Sequence, residues 1–72
     1  MNNTEFDFTL RNHGNLFILT PLSEAGRGWA DNFLPEDALK WGGGTVIEPR
    51  YVEDIVDGIL GDGLAINSKE AA

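Results

Sequence analysis

The stretch Lys40–Tyr51, KWGGGTVIEPRY, decides how the chain folds. Three consecutive glycines stand between Trp41 and the run Thr45-Val46-Ile47, and Pro49 follows shortly after. Glycines ahead of a helix N-terminus would form a phosphate cradle, with Lys and Ser or Thr at fixed positions behind them. Here the glycines precede a β-branched run, and no Gly-Lys-Ser/Thr follows. Glu48 and the acidic segment beyond it would repel phosphate. The glycines therefore read as backbone geometry, a connection that lets the chain turn sharply after Trp41 and enter a short strand at Thr45.

C-terminal to this stretch, Pro49 restarts a helix. Tyr51, Val52, Ile55, Val56, Ile59 and Leu60 recur with helical periodicity, the cleanest such signal in the chain. All six, Tyr51 included, are expected to face the core. Gly61 or Gly63 supplies the C-cap. Leu64-Ala65-Ile66 reads as a last short strand, and 67–72 as a frayed tail.

On the N-terminal side, Phe6, Phe8 and Leu10 alternate with Asp7, Thr9 and Arg11, a half-buried strand. Asn12-His13-Gly14-Asn15 is a cluster of turn formers, and Leu16-Phe17-Ile18-Leu19 a second strand, so the pair predicts a hairpin. Thr20-Pro21 has the pattern of a helix N-cap followed by proline at the first helical position. Leu22, Ala25, Trp29 and Phe33 would form its apolar stripe, and Pro35 would end it near Leu34. Gly26 and Gly28 weaken this helix unless its backbone approaches the sheet closely. Pro35–Leu39 reads as one short turn of helix. The order β-β-α-β-α-β predicts an α+β fold: a small mixed sheet with two helices packed on one face.

The 72 residues make a single small domain, 1–72. Without cysteine there is neither a disulfide nor a thiolate metal site. Apolar residues make up 42%, enough for a core. MNNTEFDF lacks the basic and apolar regions of a signal peptide, and the longest apolar run, Leu16–Leu19, is too short to span a membrane. The expected location is the cytoplasm of whatever cell makes or receives the chain.

Charge is the strongest compositional fact. Twelve Asp and Glu face five Lys and Arg, a net charge of -7. Direct nucleic-acid binding is disfavoured, because such affinity comes from cations that neutralise phosphates. Anionic membrane surfaces are disfavoured for the same reason. Basic partners are favoured, and an acidic surface that only confers solubility is the alternative.

The chemical motifs are few. Asp57–Gly63 superficially suggests calcium, but Ile59 and Gly61 occupy places where an EF-hand needs ligands. His13 is the only histidine, so the common zinc sites cannot form within one chain. Ser23 and Ser68 lack a nucleophile context. A chain this short offers little enclosure for tuning a pair of carboxylates. The expectation is no enzyme, no cofactor and no metal.

The acidic residues carry the functional reading. Glu53, Asp54 and Asp57 lie opposite the apolar stripe of the second helix, with Glu53 and Asp57 as neighbours on one face. Glu48 and Asp62 extend the acidity at each end, offset by Arg50. Asp31, Glu36 and Asp37 form a second group at the end of the first helix. Such a row resembles the charge along a nucleic-acid strand and suits a basic groove. Trp41, in a loop next to Lys40, is a candidate contact residue.

Between Leu16 and Ile66 the segments FILTPLSEAGRGWADNFLPED, WGGGTVIEPRYVEDIVDGIL and GDGLAI resemble short, acidic, largely uncharacterised phage and prophage proteins. The resemblance implies a phage-related origin. By analogy with anti-CRISPR and antirestriction proteins, it implies a non-enzymatic inhibitor of a basic, nucleic-acid-handling host protein. Its contacts would be Glu48, Glu53, Asp54, Asp57, Asp62, Asp31, Glu36, Asp37 and Trp41. The alternative is a small homodimeric structural or assembly protein that uses apolar surface around Trp41.

Overall fold

The computed structural model describes residues 6–67 and shows an α+β fold. In chain order the elements are β1 (Phe8–His13), β2 (Leu16–Pro21), α1 (Glu24–Phe33), β3 (Lys40–Trp41), β4 (Gly44–Ile47), α2 (Pro49–Gly61) and β5 (Ile66–Asn67). The five strands form one mixed sheet in the order β3-β4-β2-β1-β5. All neighbours are antiparallel except β1 and β5, which run parallel.

The register sorts the side chains. Leu10 pairs with Leu19, Phe17 with Ile47, and Leu19 with Thr45. Since strand residues alternate between faces, Phe8, Leu10, Phe17, Leu19, Thr45 and Ile47 share one face. Trp29 of α1 and Ile59 of α2 join Phe8, Leu10, Leu19 and Ile47 in one buried cluster. Both helices therefore cover the same face of the sheet. Fully burying a side chain such as Phe8, Leu19 or Ile59 contributes about 1.5–3 kcal/mol. The opposite face carries Thr9, Arg11, His13, Ile18, Val46 and Trp41.

The hairpin forms, but its turn is only Gly14, at φ 74°, and Asn15: Asn12 and His13, expected in the turn, continue β1 opposite Phe17 and Leu16. The glycine triplet makes a second hairpin. Gly42 and Gly43 both have positive φ, 58° and 84°, as a tight two-residue turn with the primed geometry demands. Gly44 lies in β4, where an added Cβ would fall 2.6 Å from Ile18 Cγ2. The glycines thus serve backbone geometry, but Lys40 and Trp41 are a strand rather than loop, because the turn folds them back onto Thr45 and Gly44.

The start of α1 differs from the sequence expectation. Thr20 and Pro21 do not cap a helix; they continue β2 opposite Thr9 and Phe8. Pairing with β4 stops at Leu19, so proline's missing donor is tolerated there. The N-cap is Ser23, whose Oγ accepts from Gly26 N at 2.9 Å. This later start rotates the stripe: Gly26 and Trp29 are buried, whereas Ala25 is exposed, Leu22 precedes the helix and Phe33 is 62% exposed. Gly26 sits where an added Cβ would collide with the Asp7 carbonyl oxygen, so its backbone does approach the sheet.

Helix α2 follows its periodicity, with Ile59 buried and Val52, Ile55 and Val56 packed beside the core. Tyr51 and Leu60 lie at the margins of the stripe and are exposed, contrary to their expected core positions. The C-cap is Asp62, followed by Gly63 at φ 84°. Gly63 N donates to Leu60 O and Leu64 N to Ile59 O, a Schellman closure with Leu64 folded back on the core. Leu64 is spent on this closure and Ala65 bonds Asp7 and Phe8, so β5 begins at Ile66, and Asn67 pairs with Thr9 instead of fraying. The rest of the expected tail, 68–72, lies outside the described residues. No helix among the described residues is long and apolar enough to cross a membrane.

Candidate functional site

Among the described residues, two carboxylates are used by the fold. Asp7 fastens three segments: its Oδ1 accepts from Ser23 Oγ at 2.6 Å and its Oδ2 from Ala65 N at 2.9 Å. Its backbone joins the same junction, with Leu22 N donating to Asp7 O and Asp7 N to Ala65 O. The Ser23 hydroxyl and, after it, the Ala65 amide favour the charged form and hold the Asp7 carboxyl below its ordinary value of 3.8. Asp62 accepts from the Trp29 indole Nε1 at 2.7 Å. This ties the end of α2 to α1, and Gly58 lets the ring approach α2: an added Cβ there would lie 3.3 Å from Trp29 Cζ2. Phe8 meets the same indole edge-on and Phe33 lies tilted against it, with centroids 5.9 and 4.9 Å away.

The acidic residues picked out in the sequence behave differently. Asp31, Glu36, Asp37, Glu48, Glu53, Asp54 and Asp57 are all exposed. Glu48 pairs with Arg50 at 3.0 Å, a solvated ion pair of small energetic weight. Among the described residues Glu53, Asp54 and Asp57 have no hydrogen bond or ion pair to a side chain. They occupy the outer face of α2, where Glu53 and Asp57 are neighbours.

The structure brings part of this acidity to an apolar groove that the sequence reading missed. The groove has a volume of about 650 Å³ and runs between the end of α1, the 34–39 turn, β4 and the first turns of α2. Phe33, Leu39, Ile47, Tyr51 and Ile55 line it, and Glu48 and Asp54 stand among them. Pro35 and Ala38 also line it, so Glu36 and Asp37 sit in the turn that forms its wall. Leu39 is 68% exposed, Phe33 62% and Tyr51 48%, so the walls stand open to solvent. Arg50 lies over the Tyr51 ring, 4.9 Å from its centroid. In sequence, Phe33 and Tyr51 look like core because they continue helical stripes. The only hint was a surplus of bulky apolar residues at the stripe margins and in the turn after Pro35.

Asp62 is separated from the outward row by its bond to Trp29, and Trp41 lies on the helix-free face. There Trp41 is 58% exposed and meets His13 edge-on at 5.0 Å. Of the sequence-predicted contact residues, Glu48 and Asp54 line the groove, Glu36 and Asp37 sit in its turn, Glu53 and Asp57 lie on the outer face of α2, Trp41 lies on the helix-free face, Asp62 is at Trp29, and Asp31 is exposed on α1.

Fold and site together define a small α+β domain with an acid-rimmed apolar groove. Comparison with protein-family models, with curated proteins and with solved structures finds no match to this chain.

Proposed function

We propose that this chain is a non-enzymatic, phage-type interaction protein. Through an acidic face that imitates nucleic acid, it binds and inhibits a basic, nucleic-acid-handling protein of the bacterial host. The observation that carries this reading is the outer face of α2, where Glu53, Asp54 and Asp57 are exposed and unpaired among the described residues. Like charges at helical spacing cost stability, so a row of them that the fold does not use suits an external cation. The net charge of -7 supports the same reading. The test is capture from a host lysate by the tagged chain at low and high salt, read by mass spectrometry. A nucleic-acid-handling protein retained at low salt and released at high salt is expected; capture indifferent to salt would refute the acidic-face mechanism.

The second reading, a homodimeric assembly protein, draws on the exposure of Trp41 beside His13. A clean monomer by light scattering at high micromolar concentration removes it.

A further inference from the structure

We infer that the groove between α1, the 34–39 turn and α2 receives an amphipathic helical segment of a basic protein, with bulky apolar anchors on one side and Lys or Arg flanking them. The inference rests on the acidic-face reading and adds to it an apolar contact that charge mimicry alone does not need.

Three observations select this occupant. First, the lining joins apolar and acidic side chains: Phe33, Leu39, Tyr51 and Ile55 beside the exposed Glu48 and Asp54. Of the two carboxylates, Asp54 has no side-chain partner among the described residues, and Glu48 has only the solvated Arg50. Apolar anchors with flanking cations match this arrangement, and helices dock in such grooves through residues on one face. Second, the walls are too open for a small apolar molecule. Such ligands bury about 70–90% of their surface in a pocket, whereas Leu39 and Phe33 here stand 68% and 62% exposed. A macromolecular segment covers walls of this kind. Third, a second copy is a poor occupant, because it would bring its own charge of -7 against the acidic rim.

The test is an NMR titration of the isotope-labelled chain with three synthetic peptides of equal length: an amphipathic Leu/Lys helix, a Lys/Ser peptide of the same charge, and an amphipathic Leu/Glu helix. The Leu/Lys helix is expected to bind at least tenfold more tightly than the Lys/Ser peptide, with shifts concentrated at Phe33, Leu39, Tyr51 and Ile55. The Leu/Glu helix is expected not to bind. Leu39→Ser should weaken the Leu/Lys helix at least fivefold and leave the Lys/Ser peptide unchanged. Leu39 is largely exposed, so this change spares the core; Tyr51→Ser serves as the second variant.

Equal binding of the Leu/Lys and Lys/Ser peptides, or shifts centred on Trp41 and His13, would overturn the groove inference while leaving the acidic face standing. Failure of both cationic peptides would overturn the acidic-face reading as well. Saturable binding of the neutral dye Nile red at the groove without peptide binding would make it a small-molecule site. Dimers that cover the groove would make its occupant a second copy. Either result overturns the inference.

Discussion

Asp7 accepts from the Ser23 hydroxyl and the Ala65 amide and fastens β1 to the start of α1 and the approach to β5. Asp57, on the outer face of α2, accepts from nothing among the described residues and sits one turn from Glu53. The two are the same chemical group in the same small domain. One is held by donors that favour its charge; the other is exposed beside a like charge. The comparison teaches that an acidic composition is not one property. Asp7 and Asp62 belong to the fold, whereas Glu53, Asp54 and Asp57 are left over by it.

Substitutions separate the two sets. The largest effect is expected at the aromatic hub to which Asp62 is bonded. Trp29→Ala removes the ring shared by Phe8, Phe33, Gly58 and Asp62 and should cost about 3–5 kcal/mol in urea unfolding. Gly26→Val drives a side chain into the Asp7 carbonyl and should cost about 1–3 kcal/mol, seen as a lowered thermal midpoint.

Asp7→Asn should lower the midpoint at pH 7 by a smaller amount and also change its pH dependence. Because the folded-state pKa of Asp7 is depressed, its contribution is complete above the ordinary value of 3.8 and is lost as pH falls through the lower folded value. The wild type should therefore lose stability below about pH 4, and Asp7→Asn should flatten that limb. An unchanged acid limb would show that the Asp7 junction does not hold the chain together.

Asp62→Ala strands the Trp29 N–H and should cost about 1 kcal/mol. Asp57→Asn lies at the far end of the scale. It should change stability by less than about 0.5 kcal/mol, in the stabilising direction if relief from Glu53 dominates. A large loss there would erase the distinction between the two sets.

How much of this was legible in the sequence depended on whether a local pattern had one physical solution. The β1–β2 hairpin and α2 were legible, because alternation around Gly14 and the repeat from Val52 to Ile59 each fit one element. The Gly42-Gly43 turn was legible as geometry, although its partner strand Lys40–Trp41 was too short to register. The start of α1 was not legible. Thr20-Pro21 and Ser23-Glu24 are both sound cap patterns, and the choice was made by residues far away: Phe8 pairs with Pro21, and Asp7 holds Ser23. The outward acids of α2 followed from its periodicity. The groove did not, because Phe33 and Tyr51 continue helical stripes whose margins a domain this small leaves uncovered.

The most direct test of the central claim, that the α2 acids serve a partner rather than the fold, is lysate capture by Glu53→Lys/Asp54→Lys/Asp57→Lys measured beside the wild type, with thermal melts of both. An unchanged or raised melting midpoint is expected, together with loss of the salt-sensitive partner. Retained capture by the charge-reversed chain would contradict that claim.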